Sequence, residues 1–136
     1  MTRTDQRRAA VFALYQHDVT GRPLSELVEP TASDFTRELV EGVNADAEEL
    51  DALIERYAEG WTLDRIAPLE RAIMRIALLE MVHPDAAPGD VPIPPEGAIS
   101  EAVETAKRFC GSEAPGFVNG ILAAALREMG ENGAYR

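Results

Sequence analysis

Apolar residues recur at three- and four-residue intervals along almost the whole chain, a spacing that gathers them on one face of a helix. Over residues 5–20, Val11, Leu14, Tyr15 and Val19 align, and Gly21 stops the run. Ser33-Asp34 offers an N-cap for a helix over 33–44 carrying Phe35, Leu39 and Val43. Asp46-Ala-Glu-Glu49 reads as a capping box ahead of Leu50, Leu53, Ile54 and Tyr57, with Gly60 closing that helix. Thr62 to Ala67 makes one short helical turn. Pro68 then suits the first position of "PLERAIMRIALLEMV", a segment apolar nearly all round. Such a helix belongs in the middle of a bundle. Residues 83–97 hold five of the nine prolines and predict a loop. Ile99, Ala102, Val103, Ala106 and Phe109 then mark a helix over 98–109, stopped by Gly111. The last helix runs from about Pro115 to Met129, before a frayed polar tail.

No strand pattern competes with this reading. The expected fold is all-α, a compact bundle of about six or seven helices in one domain spanning 1–136. The break near residue 60 leaves a division into two small helical subdomains open. With 46% hydrophobic residues, the chain has enough apolar surface for a real core.

Charge narrows the partners. The net charge is −11, which excludes a protein that coats nucleic acid by bulk electrostatics. A small basic site on an acidic body remains compatible with it. Of the 13 basic residues only Lys107 is lysine. Arginine's planar fork suits phosphates and carboxylates, although a genome-wide composition bias would give the same ratio. Cys110 is alone, so neither an internal disulfide nor a cysteine-based metal cage is expected. No signal peptide or membrane span is recognisable, and the expected location is cytoplasmic.

Nothing in the sequence points to catalysis. His17 and His83 share no metal-binding frame, and no phosphate-binding or nucleophile motif occurs. Most carboxylates fall on solvated helix faces, with Glu104 and Arg108 spaced as an i,i+4 pair. Glu80 is the exception, because it points the same way as Ile73, Ile76 and Ala77. A buried charge needs a partner. An internal ion pair or a bond to the backbone is the plainer reading; an interface with a basic partner is the sharper one. No enzyme, cofactor or metal is expected.

The stretch "GFVNGILAAAL" (116–126) carries a turn signal, Asn119-Gly120, inside an unbroken helical stripe. Gly116, Gly120 and the alanines strip one side of this helix of side chains. Either another helix packs tightly there, with Asn119 bonded to a neighbouring loop, or a ligand approaches the backbone. Phe117 would offer a stacking face for an unpaired base, Asn119 an amide, and the helix start free N–H groups for phosphates. Arg3, Arg7 and Arg8, followed by Tyr15, form a second patch of charge and aromatic surface.

"RRAAVFALYQHD", "FTRELVEGV", "LERAIMRIALLEM", "AISEAVETAKRF" and "GFVNGILAAAL" occur in the order and near the spacing seen in the NusB transcription antitermination factors. The chain resembles that family over essentially its whole length. The resemblance implies an all-helical protein that binds boxA RNA of ribosomal RNA leader transcripts together with the ribosomal protein NusE. That pair would join the RNA polymerase antitermination complex and suppress premature termination. Carried over by position, Arg3, Arg7 and Arg8 would meet RNA phosphates, and Tyr15 would lie near RNA and partner. Glu113, Phe117 and Asn119 would line the RNA site, and Glu70 and Glu80 would face NusE or brace that surface. The resemblance leaves a homodimer open.

The departures bear on affinity. Thr4, Asp5 and Gln6 thin the N-terminal arginine run, and Gly116 and Ser100 stand where a basic residue and an asparagine are common in the family. Fewer cations release fewer counterions, so this chain alone should bind RNA weakly and with little salt dependence. Two alternatives remain: a helical protein-binding adaptor without RNA affinity of its own, and a detached NusB-like module of a ribosomal RNA methyltransferase.

Overall fold

The computed structural model describes residues 1–85 and 92–132. Among the described residues there are seven α-helices: α1 (Arg3–Thr20), α2 (Leu24–Leu27), α3 (Asp34–Ala45), α4 (Ala47–Tyr57), α5 (Pro68–Val82), α6 (Pro95–Phe109) and α7 (Ala114–Asn132). A single 3₁₀ turn, Leu63–Arg65, lies between α4 and α5, and no strand occurs among the described residues.

α5 occupies the centre because its sequence leaves only a narrow polar edge, Arg71 and Arg75, for water. Ala72, Ile73, Met74 and every residue from Ile76 to Val82 are buried. α1, α3, α4, α6 and α7 all pack on it, while α6 also lies along α7 and α1 along α3. One cluster of buried apolar side chains, from Ala10 to Ala125, runs through all six of these helices. Each fully buried Leu, Ile or Met in it contributes about 1.5–3 kcal/mol of transfer free energy. Arg75 stitches the outside of this packing, reaching Asp51 of α4 and Asp18 of α1 at 2.6 Å each.

The helix ends follow local chemistry. Gly21 ends α1 in the left-handed region at φ 74°, its N–H donating to the His17 carbonyl. Ser33 Oγ accepts the Thr36 N–H and caps α3, and Pro68 opens α5. His83 closes α5 with its ring 2.8 Å from Glu49.

Several boundaries differ from expectation for identifiable reasons. α1 begins at Arg3, two residues early, because Thr2 and Asp5 form a reciprocal capping box. Those bonds from Thr2 hold the Asp5 carboxyl below its ordinary range. Asp46 makes no side-chain cap; it is shared between the end of α3 and the start of α4. Val19 is 55% exposed rather than on the core stripe. α2 is an extra single turn after Pro23. α6 starts at Pro95, because a proline is tolerated where the first-turn N–H lacks a partner anyway. Residues 86–91 of the expected loop and 133–136 of the expected tail lie outside the described residues.

Candidate nucleic-acid interface

The connector between α4 and α5 faces the turn between α6 and α7, and the two enclose a cleft of about 520 Å³. Ile66 and Ala114, both buried, belong to its lining. Trp61 and Phe117 meet there edge to face, ring centroids 5.6 Å apart at 64°. The Arg65 guanidinium sits 5.2 Å from the centre of the Trp61 ring. Trp61 is 44% exposed, whereas Phe117 is half-buried against the core. Glu70 and Glu113 supply the negative charge of the lining. Burial pushes the Glu70 carboxyl above its usual range, and burial together with the Glu70 charge pushes the Cys110 thiol up.

The bare side of α7 is open. A Cβ built on Gly116 or Gly120 would meet nothing within 4 Å. Asn119 is exposed, and its amide makes no hydrogen bond among the described residues. Tight helix packing through these glycines is therefore not their role. Among the described glycines the most crowded is Gly42 of α3, where a Cβ would come within 2.8 Å of Leu79 Cδ2. The start of α7 offers fewer free donors than expected. The Ala114 N–H donates to the Gly111 carbonyl at 3.1 Å, and Pro115 has none.

The N-terminal arginines divide by role. Arg3 is exposed, with its guanidinium 4.1 Å from the centre of the Phe35 ring and 2.8 Å from Gln6 Oε1. Arg7 turns inward and forms a bidentate pair with Glu80, both bonds 2.9 Å. The two side chains are only 12% and 3% exposed. Arg7 and Glu80 are therefore each other's partners inside the fold, the plainer of the two readings of Glu80. Arg8 donates to Thr105 Oγ1 at 3.3 Å and lies 5.6 Å from the centre of the Phe109 ring. Tyr15 is half-buried at the core edge.

Of the residues singled out from sequence, Glu70, Glu113 and Phe117 meet in one cleft, and Asn119 lies two positions further along the open side of α7. Trp61 and Arg65 were missed. The available signal was the chain's only tryptophan, placed in a short polar connector after Gly60. No helix of the described residues is long and apolar enough to cross a membrane.

Residues 4–127 match the NusB family. The chain belongs to that family. It is 41% identical over 131 residues to the transcription antitermination protein NusB of Rubrobacter xylanophilus, covering 92% of this chain and 90% of that protein. Against the transcription antitermination protein NusB of Frankia casuarinae it is 46% identical over 103 residues, 75% of this chain and 71% of the relative. Among solved structures, T. maritima NusB superposes with a TM-score of 0.81 at 30% identity, covering 94% and 92% of the two chains. A crystal structure of antitermination factors NusB and NusE in complex with dsRNA shares the fold, with a TM-score of 0.76 at 24% identity over 94% and 99%.

Proposed function

We propose that this chain is a cytoplasmic transcription antitermination factor that holds boxA RNA jointly with NusE and joins the RNA polymerase antitermination complex. It acts by binding and needs neither a catalytic centre nor a cofactor. The observation that carries this reading is the cleft itself: an exposed tryptophan under an arginine, edge to face with Phe117, beside a helix face free of side chains. Aromatic faces and guanidinium groups are the two surfaces on which unpaired bases stack. Membership of the NusB family, whose relatives are named as antitermination proteins, supports the same reading. Arg3, Arg8 and Arg65 meet phosphates or bases, Phe117, Asn119 and Glu113 lie along the RNA, Tyr15 lies near RNA and partner, and Glu70 faces NusE. The acidic body complements a basic ribosomal protein, so the heterodimer is the full RNA receptor. A homodimer covering the cleft would compete with RNA.

The test is a salt titration of boxA binding, with and without NusE. The isolated chain binds weakly with a shallow salt slope, and NusE steepens and strengthens binding. Equal affinity with and without NusE overturns the joint receptor. Equal affinity for boxA and a scrambled RNA of the same length favours the second reading, a protein-binding adaptor. That alternative has one observation in its favour: with Arg7 held by Glu80, and Glu70 and Glu113 in the cleft, little net positive charge faces an RNA.

A further inference from the structure

Several arginines form no ion pair among the described residues, Arg37 and Arg127 included. Four such arginines, Arg3, Arg8, Arg65 and Arg108, each lie against an aromatic ring, and none forms an ion pair among the described residues. Two of them share one ring. Arg8 and Arg108 both place their guanidinium groups 5.6 Å from the centre of Phe109. The i,i+4 spacing predicted that Glu104 would neutralise Arg108. Glu104 instead pairs with Lys107 at 3.3 Å, leaving Arg108 to the ring.

Phe109 is 40% exposed, although it ends an amphipathic helix whose other stripe residues point inward. Its orientation is fixed from α1, where Phe12 meets it edge-on, centroids 5.0 Å apart and planes at 88°. Two residues later Gly111 already lines the cleft. Phe109 therefore stands where the chain passes from the arginine face of α1 to the Trp61–Phe117 cleft. An apolar protein contact would not gather two cations, neither held in an ion pair, round an exposed ring, because burying them is costly. A single-stranded nucleic acid answers both features, with its base on the π-face or guanidinium plane and its phosphates on the cations.

We infer that Phe109, Arg8 and Arg108 form a second stacking step for single-stranded RNA, continuing the path from the cleft toward α1. This rests on the RNA-binding reading of the cleft and adds a site to it. The braced ring makes the step preformed, so an RNA long enough to reach it gains affinity without reordering the protein.

The test measures fluorescence anisotropy of the full chain with NusE, against a boxA RNA long enough to reach Phe109 and a fragment of about four nucleotides that fills only the cleft. Phe109→Ala should weaken the long RNA about 5- to 100-fold and leave the fragment unchanged. Phe109→Trp should restore binding. Arg108→Gln, at an exposed position, should weaken the long RNA and flatten its salt slope. If Phe109→Ala lowers the melting temperature, Phe109→Leu, which keeps the apolar contact with Phe12 but has no π-face, should still show the loss. Wild-type affinity of Phe109→Leu and Arg108→Gln for the long RNA overturns the second step while Phe117→Ala still loses binding. No RNA binding by the wild-type pair overturns the cleft reading and this one together. Loss of NusE with RNA affinity intact makes Phe109 a protein contact and overturns the inference alone.

Discussion

Arg7 and Glu80 hold each other through two parallel hydrogen bonds of 2.9 Å, joining the first turns of α1 to the last turn of α5. Glu80 is the buried charge of the central helix, and Arg7 also approaches Glu101 of α6 at 3.5 Å. Removing one partner leaves the other charged and dry, so Arg7→Met and Glu80→Leu should each cost about 3–5 kcal/mol. Arg7→Met with Glu80→Leu should cost much less than the two single losses added, because the apolar pair leaves no orphan charge. Chemical denaturation of the four proteins closes the cycle. Additive losses would show that the two groups do not act as a pair.

The glycines of α7 and α3 make opposite demands. Gly120 has a helical backbone and open space where a Cβ would stand. Gly120→Ala should therefore stabilise the protein by about 0.5–1 kcal/mol through helix propensity alone. Gly42→Ala gains the same propensity but drives a methyl against Leu79, which is fully buried and has little room to turn. Overpacking of this kind costs about 1–3 kcal/mol, so the net effect is a loss of about 1 kcal/mol. Thermal melts of the two variants should move in opposite directions, and a destabilised Gly120→Ala would mean that something does pack on that face.

What the sequence could and could not disclose follows from the range of the forces involved. α3, α4 and α5 were readable because their stripes, Ser33 and Pro68 are local signals. The start of α6 was misjudged because Pro94-Pro95 reads as a breaker, although a proline in the first helical turn breaks nothing. Burial of Glu80 was legible from its register with Ile73 and Ile76, but its partner lies 73 residues away and no pattern names it. Phe117 was legible from one segment, and Glu113 came only with the family resemblance. The cleft was not, because its other wall, Trp61 and Arg65, comes from a connector brought opposite only by the packing of α4, α5 and α7. The open glycine face was visible as a lack of side chains, but only the neighbours' positions decide whether such a face is packed or exposed.

Glu70 predicts a pH dependence with a definite sign. Burial raises its folded pKa above the unfolded value, so the folded state favours the protonated carboxyl. That contribution is fully present below the unfolded carboxylate value and is lost as pH rises through the raised folded one. Glu70→Gln should therefore leave stability at acid pH unchanged and increase it at neutral pH. A second readout is independent of unfolding. The Cys110 thiol, raised by burial and then by the Glu70 charge, should titrate at lower pH in the variant. Thiol alkylation rates against pH would show the shift, and an unmoved thiol profile would disprove the electrostatic contact.

Trp61 and Arg65 separate stacking from charge within the cleft. Trp61→Ala removes an exposed ring, so folding should change little, while boxA affinity in the presence of NusE should fall by about 1–3 kcal/mol. Because no cation is lost, the slope of log affinity against log salt should stay the same. Arg65→Gln should weaken binding and also flatten that slope by about 0.7, the amount expected for one phosphate contact with a single strand. Arg65→Lys keeps the charge but loses the planar face over Trp61, so its slope should match wild type while its affinity does not. If Trp61→Ala flattens the slope as much as Arg65→Gln does, the tryptophan acts by holding the arginine in place and not as a surface for the base.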